Sequence, residues 1–272
     1  MQADDPGSDV PAPPRIPDGR RTHASRVYDY LLGGKDNLEV DRAQVERNLE
    51  VNPYAKIRVR ASRLFLERGL RYMVAEAGMR QILDIGSGMP LPTYNTVHEI
   101  AHSIAPDTRV VYVDSNPVVV AHMGALQTDG ERTTAVVGDL RFPRRILDDP
   151  DVREFLDLSE PVGVMLGGIV HFLGHGDDAA GVLAALRTGT APGSHVVLNH
   201  ISADLDHRVH DVVALFDGSE TPMITRTHAE IAELLAGYEV LEPGIVPVHE
   251  WRPDGPVDAE GNGFGMVVRS PV

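Results

Sequence analysis

From Gln81 to Asn199 the chain repeats one grammar: a short β-branched or aliphatic run, a turn, then a segment of helical period. The runs are Gln81–Ile85, Arg109–Val113, Thr134–Val137, Val162–Leu166 and His195–Asn199, with helical stretches near 93–105, 117–127, 144–157 and 177–188. Strands that are apolar on both faces and separated by helices pair as a parallel sheet covered on both sides. Asn116-Pro117 fits the scheme, placing an N-cap before a proline at the first helical position. Before this region, Ser25 to Ala77 reads as helix broken at Gly33-Gly34 and Asn52-Pro53, and Gly78 supplies a stop. After it, Thr227-His-Ala-Glu230 is a capping box for a further helix closed by Gly237, followed by strand-like stretches Glu239–Val248 and Gly263–Arg269. The expected organisation is a disordered tail over 1–20, rich in Pro, Asp and Gly, then a helical cap over 21–78 and an α/β domain over 79–272.

The first run leads into Asp84-Ile-Gly86-Ser-Gly88-Met-Pro90, a strand entering a Gly-rich turn. Small residues there let the backbone approach a ligand, and the next helix offers free N–H groups. Asp114 ends the second run, where a carboxylate can accept both hydroxyls of a ribose. Asp139 follows the third, in Val137-Gly138-Asp139-Leu140, where it can accept from an adenine amino group. Each acid alone is equally a loop acid or a helix cap. Together they mark successive strand C-termini, the edge at which open α/β sheets bind ligands.

This constellation resembles the class I S-adenosylmethionine-dependent methyltransferases, whose first motif carries an acid two residues before its first glycine, as Asp84 and Gly86 do. Gly88 matches the second glycine, but Pro90 replaces the third and removes an amide donor. The dinucleotide-binding GxGxxG of an NAD-dependent oxidoreductase is also incomplete, since Leu91 holds its last glycine position. Further residues narrow the resemblance. Arg26-Val-Tyr28-Asp29-Tyr30-Leu-Leu-Gly33-Gly34-Lys35-Asp36-Asn37, with Val97-His98-Glu99, Tyr112-Val-Asp114, Val170-His171-Phe172 and Pro243-Gly-Ile-Val-Pro247, is similar to a narrow S-adenosyl methyltransferase family also known as a domain of unknown function. The resemblance covers about residues 22–270. It implies a Rossmann-like, seven-stranded, mostly parallel sheet with the last strand antiparallel beside the fifth, under an N-terminal helical cap. It also implies S-adenosylmethionine as cofactor, held by Asp84, Gly86, Ser87, Gly88, Asp114, Ser115, Asp139 and Leu140, with S-adenosylhomocysteine as product.

Around that site, His171 stands at the usual acceptor-side position for a general base, or is a hydrogen-bonded core histidine. Tyr28 and Asp29 cover the cofactor or shape the acceptor pocket, or pack a helix face. Arg60 and Arg63 are candidates to clamp the cofactor carboxylate, against the plainer reading of solvated surface arginines. The tetrapeptide typical of amino-group DNA methyltransferases is missing after the fourth run, where Leu166-Gly-Gly-Ile169 stands. With a formal net charge of -15, that argues against nucleic acid; the expected acceptor is a small molecule, or else a limited site on a larger one. A non-catalytic S-adenosylmethionine-binding protein is the alternative that Pro90 supports.

One competing motif has to be weighed. His98-Glu99-Ile100-Ala101-His102 matches HExxH, the zinc metallopeptidase helix, and two histidines at this spacing share a helix face. The extended form fails at Ala105 and Thr108. Helical phase puts Val97, Ile100, Ala101 and Ile104 on the buried stripe and both histidines roughly opposite, with His98 near the ligand edge. No metal site is expected, and the lack of cysteine excludes disulfides, thiolate metal sites and a cysteine nucleophile. The first 25 residues hold no apolar run of a secretory signal, and the stretch near Val162–Leu173 is too short and Gly-broken to span a bilayer. The expectation is a cytoplasmic protein without a membrane segment, its oligomeric state open.

Overall fold

The computed structural model describes residues 19–91, 93–126, 130–219, 221–255 and 261–272. The tail expected over 1–20 lies outside them except at its last two residues.

Three helices come first: α1 (Ala24–Leu31), α2 (Glu39–Val51) and α3 (Ala55–Ala75). The alternating region follows as β1 (Gln81–Ile85), α4 (Val97–Ile104), β2 (Arg109–Asp114), α5 (Pro117–Leu126), β3 (Thr133–Val137), α6 (Pro143–Leu147), α7 (Pro150–Phe155) and β4 (Gly163–Leu166). A single 3₁₀ turn, Val170–Phe172, precedes α8 (Ala179–Gly189), β5 (His195–Ile201), α9 (Val209–Ala214) and α10 (His228–Leu234). The chain ends on β6 (Glu239–Val240), β7 (Val246–Pro247) and β8 (Gly263–Arg269).

The strands form one sheet of order β3-β2-β1-β4-β5-β8-β6, with β7 also paired to β8. β1 to β5 are mutually parallel, and β8 runs antiparallel along β5 from His195↔Arg269 to Ile201↔Gly263. This is the doubly wound, class I methyltransferase architecture. The winding reverses between β1 and β4, which makes their C-terminal ends the switch point where a crevice opens.

Two expected elements differ. The single helix near 144–157 is two, because Asp149 accepts the amides of Asp151 and Val152 and Pro150 starts a new helix behind that cap. The stretch Glu239–Val248 is two short strands on the same partner, since Pro243 has no amide to pair and Gly244 turns the chain at φ +101°. The sheet therefore counts eight strands, not seven.

One sheet face packs Leu83, Val111, Val164 and Val196 against α6–α8 and α10. The other packs Ile82, Tyr112 and Val197 against Phe65, Leu70 and Met73 of α3, and against Ile100 of α4. So α3 belongs to the sheet's own core. A third cluster, Val27, Leu31, Val45, Ala55, Val212 and Phe216, ties α1 and α2 to α9 and leaves a space above the strand ends.

Candidate active site

That space is a cavity of about 370 Å³, within the size range of small-molecule sites. Its floor is the C-terminal edge of the sheet, and its roof comes from α1, α2, α3 and α9.

The Gly-rich turn forms one end. Gly86 and Gly88 take φ +75° and +68°, where a side chain is strained. A Cβ on Gly86 would also overlap Ile169 Cδ1. The turn is tied to β2: the Gly86 amide donates to Val113 O at 2.7 Å, and the Gly88 amide donates to Asp114 Oδ2 at 3.0 Å. Asp114 Oδ1 accepts the Asn116 amide at 2.8 Å. Each Asp114 oxygen keeps a lone pair for a ligand.

Asp84 and Asp114 are both buried. Burial pushes Asp84 up to about 7, with Arg63 opposing the shift and the Asp114 charge adding to it. Burial likewise pushes Asp114 up to about 6, against the pull of the Asn116 and Gly88 amides. Asp139 instead forms a bidentate pair with Arg141, from Nε at 3.0 Å and Nη2 at 2.5 Å.

Of the residues singled out by sequence, Tyr28, Arg63, Asp84, Gly86, Ser87, Gly88, Asp114, Ser115, Asp139, Leu140 and His171 line this one cavity. His171 sits on the 3₁₀ turn after β4, buried, with Nδ1 lacking a partner. Burial holds its imidazole well below the ordinary histidine range, with His200 and Arg226 adding to the effect. Burial also pushes the Tyr28 phenol up to about 12.

Three candidates are not among the lining residues. Asp29 turns under the next loop, where Oδ2 accepts from Asn37 Nδ2 at 2.7 Å and its carbonyl accepts the Gly34 amide at 2.8 Å. A Cβ on Gly34 would overlap Asp29 Oδ1. The Asp29…Gly33-Gly34…Asn37 pattern thus closes α1. Arg60 is exposed on α3. Arg58, Val59, Ser62, Arg63 and Leu66 face the cavity, and Arg60 falls about 60° outside that arc. His98 is occupied below the rim, its Nδ1 2.8 Å from the Tyr112 hydroxyl and 3.1 Å from Thr96 Oγ1.

The HExxH motif has a structural explanation. Glu99 closes the capping box of α4, its Oε2 accepting the Thr96 amide at 2.7 Å, and His102 Nε2 lies 2.8 Å from Thr108 O. Among the described residues no group of three or more His, Cys, Asp or Glu could hold a metal.

Sequence reasoning missed the roof: Asn48, Asn52 and Arg58 line the cavity with Phe216 and Met223. It also missed Arg226, which donates to His200 Nε2 at 2.8 Å and to the carbonyls of Val170 and Leu173 at 3.3 and 2.8 Å. Arg226 thereby brackets the turn that carries His171. Helical phase on α3 was the one signal that pointed to Arg58, and it needed a known partner to be used.

The profile of a family described as S-adenosyl methyltransferase matches residues 11–268. The chain is similar to a DUF574 family protein from Streptomyces avermitilis, with TM-score 0.87 and 38% identity over 93% of this chain and 99% of that one. It is also similar to a protein from Thermobifida fusca provisionally assigned as a methyltransferase, with TM-score 0.88 and 36% identity over 97% and 100% of the two chains. Human N-acetylserotonin methyltransferase, solved with S-adenosylmethionine, shares the fold at TM-score 0.51 and 16% identity, over 94% of this chain and 64% of that one. No curated protein sequence matches the chain.

Proposed function

The chain belongs to the S-adenosyl methyltransferase family, and from that premise we propose that it methylates a small-molecule acceptor held between the strand ends and the helical roof. The observation that carries the reading is the pair Asp84 and Asp114, both buried next to a Gly-rich turn, with the Asp114 charge acting on Asp84 and neither having a full complement of partners. Two carboxylates so placed favour a cationic ligand, and S-adenosylmethionine carries a sulfonium and an ammonium. The residues at that edge therefore fit the family's cofactor.

When bound, the cofactor supplies a methyl group already activated for in-line displacement. Gly86 and Gly88 let the backbone close on it, and Ser87 and Ser115 lie beside them. Asp114 offers its remaining lone pairs to the ribose hydroxyls, Asp139 and Leu140 take the adenine, and Arg63 takes the carboxylate. Tyr28 lines the roof and would cover the bound cofactor, with the helices of residues 21–78 acting as the cap.

His171 is neutral and lines the cavity, so it can take a proton from the acceptor. The imidazole would receive the proton that the acceptor gives up on methylation. Most of the acceleration comes from holding acceptor and methyl in line, a contribution of roughly 7–11 kcal/mol. Among the described residues no helix is long and apolar enough to cross a membrane.

Calorimetric titration with S-adenosylmethionine, S-adenosylhomocysteine and NAD tests the reading. Binding of the first two and not the third is expected; binding of NAD alone replaces it with an oxidoreductase. The second reading, a non-catalytic S-adenosylmethionine-binding protein, draws on Pro90, which leaves the turn one amide short. Binding without turnover across a broad acceptor library selects it.

A further inference from the structure

The cavity is sorted by charge. Its sheet-edge wall carries Asp84, Asp114, Asp139 and Asp177, with Arg141 paired to Asp139 and the other three acids in excess, whereas the lining from α1–α3 carries Arg58 and Arg63 and no carboxylate. Arg63, assigned above to the cofactor's carboxylate, is steadied by Asn95 O, to which Nη2 donates at 2.5 Å, with Nε facing Glu67 at 3.5 Å.

Arg58 is different. Its Nη1 donates to Asn52 Oδ1 at 2.9 Å and pairs with Asp206. Asp206 also takes Arg208 Nε at 2.9 Å, so one carboxylate answers two guanidinium groups and the cluster keeps a net positive charge. These anchors fix Arg58, which is buried, while the N–H groups of Nε and Nη2 enter no described hydrogen bond. One helical turn before Asn52, Asn48 is 4% exposed and its Oδ1 has no partner. Around them the lining is apolar: Val27, Leu31, Val212, Phe216 and Met223.

A fixed guanidinium with spare donors calls for an oxyanion, and a buried amide oxygen calls for a hydrogen-bond donor. An apolar wall calls for a hydrocarbon body, and a cationic amine would be repelled. Resting on the methyl-transfer reading, we infer that this end of the cavity binds the acceptor, and that the acceptor is a small hydroxylated carboxylic acid. Its carboxylate pairs with Arg58, a hydroxyl other than the methylated group donates to Asn48 Oδ1, and its apolar body lies against Phe216 and Met223. The opposed charge at the two ends would align a cationic donor and an anionic acceptor in one orientation.

The test is calorimetry on protein saturated with S-adenosylhomocysteine. The probes are para-hydroxybenzoate, para-hydroxyphenylacetate and para-coumarate, with tyramine as the cationic counterpart. At least one acid should bind and tyramine should bind more weakly. Arg58→Gln should weaken acid binding about tenfold or more, and Asn48→Leu about threefold or more, with S-adenosylhomocysteine affinity held within about twofold. Because Arg58→Gln strips Asp206 of a partner, the double variant R58Q/D206N is measured alongside it. Retained S-adenosylhomocysteine binding reports that each variant is folded, and the acids must bind weakly to the double variant as well. Tyramine binding as tightly as the acids, acid binding indifferent to Arg58, or no acid binding at all would overturn the inference and leave the methyl-transfer reading standing. Failure of the wild-type protein to bind S-adenosylhomocysteine would remove both.

Discussion

The Asp114 carboxylate accepts the Gly88 amide at 3.0 Å, so the end of β2 physically holds the Gly-rich turn that leaves β1. Its other oxygen accepts the Asn116 amide at 2.8 Å, at the start of α5. In Asp114→Asn the new NH₂ must face one of these two donors. We expect an affinity for S-adenosylhomocysteine about tenfold or more weaker, read by calorimetry. Unchanged affinity would show that the turn is held without this carboxylate.

The buried acid pair sets a pH dependence. Burial raises Asp84 to about 7 and Asp114 to about 6, above an unfolded carboxylate near 4. Between those values the folded protein binds more protons than the unfolded chain. Stability from this pair is therefore full below about pH 4 and is lost as pH rises through about 7. His200 and His23, lowered to about 4 chiefly by burial, act oppositely: their contribution is present above about pH 6.5 and is lost as pH falls. Ligand affinity is the cleaner readout. A cationic cofactor favours the ionised acids, so S-adenosylmethionine should bind more tightly from about pH 5 to 8, with proton release. Calorimetry in buffers of different ionisation enthalpy measures it, and Asp84→Asn should flatten the profile.

The His171 ring is held by its neighbours rather than by a hydrogen bond at Nδ1. Arg226 bonds the carbonyls on both sides of its turn, and the His200 ring meets the His171 ring edge-on at 5.6 Å. With an acceptor in hand, His171→Ala should lower kcat about a hundredfold or more and leave S-adenosylhomocysteine affinity intact. Arg226→Met should lower kcat too and shift its pH profile, since a nearby positive charge is lost. Unaltered turnover in His171→Ala would end the base assignment.

Thr96 and Glu99 form a capping box on α4, which makes their role one of stability. Thr96→Ala should cost about 0.5–2 kcal/mol in urea denaturation without changing S-adenosylhomocysteine binding. Metal analysis should find no stoichiometric zinc, and a chelator should leave both properties unchanged. Tightly bound zinc would restore the HExxH motif as a metal site.

The parts of the site legible in sequence are those whose signals are local. Gly86 and Gly88 are readable because left-handed backbone selects glycine within the turn itself. Asp84, Asp114 and Asp139 are readable because strand ends follow from short apolar runs, and the sheet edge from their alternation with helices. The Asp149-Pro150 break was equally local and still escaped a reading that favoured one long helix. Arg58 and Arg60 illustrate the limit. They lie two residues apart on α3, and only the direction of the sheet beneath decides which of them faces the cavity.

The sequence by itself determined the parallel sheet, the Gly-rich turn and the acids along its edge, because periodicity, turn chemistry and capping act over a few residues. Only the tertiary structure decided what forms the roof of the cavity. Asn48 comes from α2, Arg58 from α3, Phe216 from the end of α9 and Met223 from the loop beyond it, with Asp206 behind Arg58. These groups meet only when α1, α2 and α9 close one apolar cluster over the strand ends. Charge, too, is uninformative as a total: the chain is acidic by 15, yet the cavity roof is basic. Electrostatic recognition depends on the few charges withdrawn from water, and burial is a property of the fold.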